Sequence, residues 1–508
     1  MRTKKSLLNL ATGLAGQMLA LLASLMLRVV MSRYMATAYL GLSGLFTNIL
    51  SMLSLVELGV GPAITFSLYK PLAERDTEKT KSLMRLYQKA YRSIGCAVLL
   101  LGFLFTPLYP YFIKDTAGIP QLNIIYWLYV LNSGISYFYS YKSSLIIADQ
   151  NQYIKNIGHY IAYVLMHVLQ AVILITTRNY ILFLVCQVFF TAAENVVLSR
   201  IADRMYPFLR DKEIKPLSKA DTAPITKNIR AMLCHNIGNM VVNSTDNILV
   251  SRFLGLTVSG IYSNYAMILL AVRNILARAF DAVLASVGNL NAEGDVSKIR
   301  TVFDRLFFLA FWLFGLCAIC LLCLMQPFIQ MVFGKAFLLD NMTLVMLVIS
   351  FYVTGMRSVL YVMRAAAGLY HRDWAKPIAE AIVNLAASIL LMRRFGIAGV
   401  FMGTIVSAVL VGTWVEAYVV CKDVLKEKLS LYFIQYGKYA LIAAVTAILV
   451  NGFMSMMPDG GFVWLVLKGV VTVAVVNGIY AVVYLRSEEF KYFYRLAVGI
   501  VKAGMKKR

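Results

Sequence analysis

Apolar runs of roughly 20 residues recur from one end of this 508-residue chain to the other, and they constrain its fold more than any motif does. At about 1.5 Å per residue, each run is long enough to cross a ~30 Å hydrocarbon layer as a helix. Strand-like alternation is missing, which excludes a membrane β-barrel. Backbone polar groups at bilayer depth must then be satisfied inside helices. Composition agrees, since 60 % hydrophobic and 15 % charged residues, with a mean hydropathy of +0.71, lie outside the range of a water-soluble domain. The runs predict an all-α polytopic membrane protein of about fourteen transmembrane helices, at 7–31, 40–61, 93–113, 121–141, 157–176, 179–199, 231–251, 259–285, 306–325, 341–363, 377–392, 396–420, 433–455 and 462–485. The first run follows a basic segment and is too long for a cleaved signal, so it reads as a retained span.

Charge orients these spans. With the N-terminus inside, alternate loops and tails carry 36 of the 49 Lys and Arg residues, the opposite loops carry 7, and the rest lie within spans. That asymmetry is the positive-inside pattern and places both termini in the cytoplasm. The net charge of +24 is then a property of loops facing anionic lipid headgroups, with nucleic acid a poor explanation. In the tail, Phe490, Phe493, Ala497, Ile500 and Val501 share one helical face among Lys and Arg, which predicts an amphipathic helix on the inner leaflet. The external loops are short and leave no room for a catalytic domain.

A shift of 219 residues superimposes Ser32-Arg33-Tyr34 on Ser251-Arg252-Phe253, Gly41 on Gly260, and Asp76, Lys79 and Lys81 on Asp295, Lys298 and Arg300. One ungapped offset across spans and loops marks a duplication. Six spans per repeat is an even number, so the two lobes are parallel repeats. The expected organisation is an N-terminal lobe with its linker at 1–230, a C-terminal lobe at 231–430, and two appended spans with the basic tail at 431–508.

Polar groups inside the spans are the candidate functional residues. Asn236, Asn239, Asn243 and Asn247 fall on one face of the seventh span, and the first span places Gln17, Ser24 and Arg28 at corresponding positions. Such stripes line either a helix contact or a hydrated cavity. Arg273, Arg278 and Arg357 add deep cations as candidate substrate-binding residues, and Asp246, Glu57 and Asp281 are candidates for gating or ion coupling. Arg28 and Asp246 are one residue apart in repeat register and are candidates for a gate pair. Glu57, Glu194, Glu380 and Glu416, near the cytoplasmic ends of their spans, can snorkel or pair with inner-loop bases. His159 and His167, eight apart on one span, read as packing or hydrogen-bonding residues. Cys317, Cys320 and Cys323 form a CxxCxxC run inside a span, where packing explains them better than a metal does.

The run Glu57-Leu58-Gly59-Val60-Gly61-Pro62-Ala63, with Ser67-Leu68-Tyr69-Lys70-Pro71-Leu72-Ala73, resembles the polysaccharide transporter family, the Wzx-type flippases of the multidrug/oligosaccharidyl-lipid/polysaccharide (MOP) exporter superfamily. So do Asp246 to Gly255, Gly260-Ile261-Tyr262-Ser263-Asn264-Tyr265, Ser286-Val287-Gly288-Asn289-Leu290, and Phe395-Gly396-Ile397-Ala398-Gly399-Val400 with Gly403-Thr404. The resemblance implies a MATE-like fold in the bacterial cytoplasmic membrane. It implies translocation of an undecaprenyl-diphosphate-linked oligosaccharide by alternating access, for cell-surface polysaccharide biosynthesis. Cavity arginines are common in that family, and Arg28 and Arg273 look like them. Other polysaccharide-assembly proteins and anionic lipids would be its partners. A lipid II flippase and a cation-coupled multidrug or metabolite antiporter are the related alternatives, and a membrane polymerase or acyltransferase is the enzymatic one. No GxxxxGK[ST] or DxD motif is present and the four histidines are scattered, so no enzyme chemistry or cofactor is expected beyond Na⁺ or H⁺ coupling.

Overall fold

The computed structural model describes residues 2–57, 60–114, 118–211, 217, 245–369, 372, 375–458 and 460–505. They are almost wholly helical. Among the described residues, eight helices are long and apolar enough to cross a membrane, and the chain is a multi-pass membrane protein. Thirteen of the fourteen expected spans overlap described helices; the seventh is described only from Thr245 onward.

The chain forms two compact units, Met1–Ser263 and Asn264–Arg508. The sequence boundary at 230/231 lies outside the described residues. Unit 1 contains α1 (Arg2–Tyr34), α2 (Thr37–Leu53) with a 3-10 turn at Ser54–Glu57, α3 (Val60–Glu74), α4 (Thr77–Phe105), α5 (Leu122–Ala148), α6 (Gln152–Thr177) and α7 (Tyr180–Met205), then a helical segment at 245–253 and the start of α8 (Leu256–Asp281). Its core is built on the faces of α3, α4 and α5 around Leu68, Tyr87 and Leu145, none of them accessible. Tyrosine hydroxyls are satisfied by helix carbonyls there, Tyr87 donating to Gly61 O at 2.6 Å and Tyr126 to Gly102 O at 2.8 Å. On α6, Ile157, Ile161, Leu165 and Val168 are exposed at helical spacing. A continuous apolar stripe of that kind belongs against lipid tails.

Unit 2 continues with α9 (Leu284–Glu293), α10 (Val296–Phe333), α11 (Asn341–Met356), α12 (Ser358–Ala366), α13 (Lys376–Phe395) and α14 (Ile397–Ser407). A π-helical segment (Ala408–Thr413), α15 (Trp414–Val419) and a second π-helical segment (Val420–Leu425) follow. The unit ends with α16 (Leu429–Ser455), α17 (Gly461–Tyr484) and α18 (Glu488–Met505). The 38-residue α10 is its spine. Phe303, Phe307, Phe308, Phe311 and Phe314 are buried along it. Phe311 stacks on Tyr439 of α16 with ring centroids 4.6 Å apart, so the two appended helices are bound by aromatic packing. Helices α13 and α14 form a tight hairpin because Gly399 and Gly403 let the backbones meet; a Cβ at either would lie 2.4 Å or less from α13 atoms.

The duplication survives in detail. Asp76 caps α4 by accepting from Lys79 N, and Asp295 caps α10 by accepting from Lys298 N. Lys81 bridges to Asp211, beyond the last helix of its repeat, and its counterpart Arg300 bridges to Glu427. Gly41 and Gly260 meet each other: a Cβ on Gly41 would lie 2.0 Å from Leu256 O, and one on Gly260 would lie 2.3 Å from Thr37 O. Leu256 and Thr37 are themselves 219 apart, so the contact is reciprocal.

The tail differs from its sequence reading. Phe490 stacks on Trp312 and Phe493 on Phe308, at 5.7 and 6.3 Å, while Arg305 lies 3.8 Å over the Tyr492 ring. The apolar face that the periodicity assigned to the leaflet begins by packing on α10, because Phe308 and Trp312 extend the aromatic cluster of α10 to that side.

Candidate functional site

In unit 1 the polar stripe of α1 is engaged with its neighbours. Ser24 Oγ lies 2.6 Å from Tyr163 OH on α6. Arg28 Nη1 donates to Ser263 Oγ at 2.9 Å, and Ser263 Oγ donates in turn to Gly260 O at 2.8 Å. Gln17 is half-buried and also engaged. Asn236, Asn239 and Asn243 lie outside the described residues. Asn247 faces α2, its Oδ1 4.0 Å from where a Cβ on Gly44 would stand. The Oδ1 atoms of Asn247 and Asp246 are buried without a hydrogen-bond partner among the described residues. The expected Arg28–Asp246 pair is not formed in this conformation, since Arg28 is held by Ser263. Glu57 accepts from Tyr137 OH at 3.4 Å.

A cleft of about 220 Å³ opens between α6 and α7, lined by His159, Tyr163, Gln187, Thr191 and Glu194 among others. His159 Nδ1 lies 2.9 Å from Glu194 Oε1. His167 Nδ1 pairs with Tyr163 O at 2.9 Å in its own helix. Both histidines hydrogen-bond, as the sequence reading held; Glu194 takes His159 as its hydrogen-bond partner, and Lys155, between the fourth and fifth expected spans, acts on it electrostatically.

In unit 2, Arg273, Arg278 and Asp281 are exposed on α8. Arg273 makes no hydrogen bond or ion pair among the described residues, and the charge acting on it is another cation, Arg357. Arg357, expected to bind substrate, is instead clamped at the break between α11 and α12. Its Nη1 and Nη2 donate to Glu380 at 2.5 and 3.1 Å, and its Nε and Nη2 donate to Glu416 at 3.0 and 3.2 Å. Lys376 Nζ lies 2.5 Å from Glu416 and 3.6 Å from Glu380, and Arg364 lies 3.6 Å from Glu416. Both fork positions of the guanidinium are therefore occupied by carboxylates. Gly412, in the first π-helical segment, makes room for it, because a Cβ there would lie 2.5 Å from Arg357 Nη1.

Glu380 and Glu416 do pair with loop bases, as expected; the capture of Arg357 was the part the sequence did not reveal. Its partners are 23 and 59 residues away, and no helical periodicity relates them. The cluster holds three bases and two acids, so it carries one positive charge beside Arg273. Cys317, Cys320 and Cys323 lie along α10, with Cys323 Sγ 3.9 Å from Asn451 Oδ1. Chemically, unit 2 presents an open arginine backed by a fixed positive cluster, which suits an anionic group, and unit 1 presents a hydrogen-bonded polar face.

No family profile matches the chain, and neither does any curated protein. Solved structures do match. The lipid II flippase MurJ, in an inward closed conformation, is similar over 94 % of this chain and 99 % of its own, with a TM-score of 0.70 and 13 % identity. An inward-facing multidrug resistance MATE transporter of the MOP superfamily is similar over 79 % of this chain and 94 % of its own, with a TM-score of 0.61 and 16 % identity. A MOP superfamily transporter from Pyrococcus furiosus matches over 84 % of this chain and 96 % of its own, with a TM-score of 0.50 and 16 % identity. This chain has the all-helical fold of the MOP-superfamily transporters.

Proposed function

We propose that the chain is a flippase that carries a polyprenyl-diphosphate-linked oligosaccharide across the cytoplasmic membrane, with both termini in the cytoplasm. Arg273 carries the reading. It stands on a span, exposed, without an ion pair among the described residues and beside a cluster of net charge +1. A cation at bilayer depth needs a counter-charge, and a diphosphate crossing the same depth needs the reverse. A planar guanidinium gives phosphate oxygens two parallel donors, which an ammonium cannot. Arg28 supplies a second cation in unit 1, with Ser24, Gln17 and Asn247 as polar contacts. The sequence resemblance supports the saccharide, and the fold shared with a lipid II flippase over nearly the whole chain supports a lipid-linked cargo.

In proteoliposomes carrying an undecaprenyl-diphosphate-linked oligosaccharide, Arg273→Ala lowers the flipping rate at least tenfold while leaving insertion intact, and Arg273→Lys restores it only in part. Flipping at the wild-type rate by Arg273→Ala would place the headgroup elsewhere.

The antiporter alternative is favoured by Asp246, a carboxylate with one buried oxygen unpartnered among the described residues. Such a group suits a coupling cation. The same assay separates the two. Export of cationic drugs with an ion dependence lost in Asp246→Asn, and no flipping of the lipid-linked saccharide, selects the antiporter.

A further inference from the structure

The cleft between α6 and α7 holds two ionisable groups that the flippase reading leaves unused. We propose that His159 and Glu194 form a proton-binding site whose occupancy strengthens binding of the anionic headgroup; this rests on the flippase reading.

The geometry is that of a shared proton. His159 Nδ1 and Glu194 Oε1 are 2.9 Å apart, and the histidine side chain is 44 % exposed to the cleft. The ring is therefore open to the cleft. At about 30 Å³ per molecule, the volume of about 220 Å³ holds several waters. Gln187 and Thr191 on the α7 wall supply donors and acceptors for them. A proton taken from water adds to Nε2, the Nδ1–H continues to donate to Glu194, and the pair changes from one negative charge to none. Imidazole is the side chain suited to this exchange near neutral pH.

Among the described residues, few other charged groups surround the pair. On α6, Lys155 precedes His159 by one turn and acts on both Glu194 and Glu57 of the 3-10 turn. Tyr160 and Tyr163 flank the ring, at centroid distances of 5.2 and 5.8 Å. From α1, Ser24 bonds Tyr163 OH at 2.6 Å, and Arg28, one turn further on, acts on Tyr163 electrostatically.

That chain of contacts ties the cleft to Arg28. With His159, Tyr163, Ser24 and Arg28 in sequence, and helix turns of 5.4 Å, an anion at Arg28 stands roughly 10–15 Å from the imidazole. One unit of charge at that range, in the screened interior of a membrane protein, changes affinity by about tenfold. Proton and anion therefore bind cooperatively, each strengthening the other by the same factor.

Two measurements on the full chain test this. With labelled histidine, four ring signals are expected from the four histidines, and the one missing in His159→Gln is that of His159. The proposal requires that signal to move as the pH is varied; a signal that stays fixed wherever the protein is folded overturns it. Binding of undecaprenyl diphosphate, followed by calorimetry in buffers of different ionisation heat, takes up more protons in wild type than in His159→Gln. The phosphate's own titration is common to both proteins and cancels. Affinity tightens about tenfold more on acidification in wild type than in His159→Gln, and His159→Lys, permanently charged, binds tightly at both ends of the range. Equal proton uptake by wild type and His159→Gln also overturns the proposal. If His159 titrates but wild type does not bind undecaprenyl diphosphate at all, the flippase reading has failed and the proposed linkage to the headgroup falls with it.

Discussion

The reciprocal contact between Gly41 and Gly260 makes a demanding prediction. A Cβ on Gly41 would stand 2.0 Å from Leu256 O and 2.9 Å from Gly260 N, with no side chain to move aside, because the atoms it meets are backbone. Carbon and carbonyl oxygen tolerate approach to about 3.3 Å, so Gly41→Ala forces α2 and α8 apart by about 1.3 Å. Strain of that kind costs about 1–3 kcal/mol. Gly260→Ala, with its Cβ 2.3 Å from Thr37 O, needs a slightly smaller movement of the same pair. Gly44 is the internal control, one turn along α2, where the nearest atoms among the described residues lie 4.0 Å away. There, Ala is harmless and gains up to about 1 kcal/mol of helix propensity. Thermal unfolding of the purified protein in one detergent ranks them: Gly41→Ala and Gly260→Ala melt lower, and Gly44→Ala melts at or above wild type. The double variant Gly41→Ala/Gly260→Ala costs less than the two singles combined, because the first methyl has already opened the contact that the second would strain. Strict additivity, or a Gly41→Ala melt equal to that of Gly44→Ala, would refute the reasoning.

Two further outcomes follow from packing and charge in unit 2. A Cβ on Gly315 of α10 would lie 2.6 Å from Tyr480 OH but 3.4 Å from the ring, and that hydroxyl has no hydrogen-bond partner among the described residues. Gly315→Ala is therefore destabilising and Tyr480→Phe restores the loss, as measured by the same melts; no rescue would mean that the ring, and not the oxygen, sets the limit. Glu416→Gln leaves Arg357, Arg364 and Lys376 with Glu380 as their remaining acid in the cluster, and breaking a buried pair of this kind costs about 3–5 kcal/mol. An unchanged melt would show that water already screens the cluster.

The sequence disclosed the spans because the bilayer is a harsh filter: a segment such as Gln152–Thr177 or Leu429–Ser455 must be apolar for its whole length, and that is visible residue by residue. It disclosed the duplication as well, and the matched caps at Asp76 and Asp295 show that the offset of 219 reaches down to single hydrogen bonds. What it withheld was partnership. Arg357 reads in the tenth expected span as a lone deep cation, a substrate ligand by default, and only the fold brings Glu380 and Glu416 to it from α13 and α15. Arg273 reads the same way and has no such partner among the described residues. Two arginines that the sequence presents as equivalent are thus separated by their surroundings, one with both fork positions filled by carboxylates and the other open beside a surplus positive charge. On the proposed reading the open one is the headgroup ligand, since an anion competing for Arg357 must first displace two buried glutamates held by three bases. The same logic orders unit 1, where Arg28 bonds a neutral serine hydroxyl at 2.9 Å. A hydroxyl satisfies a donor without neutralising its charge, so the bond from Arg28 to Ser263 differs in kind from the carboxylate clamp on Arg357.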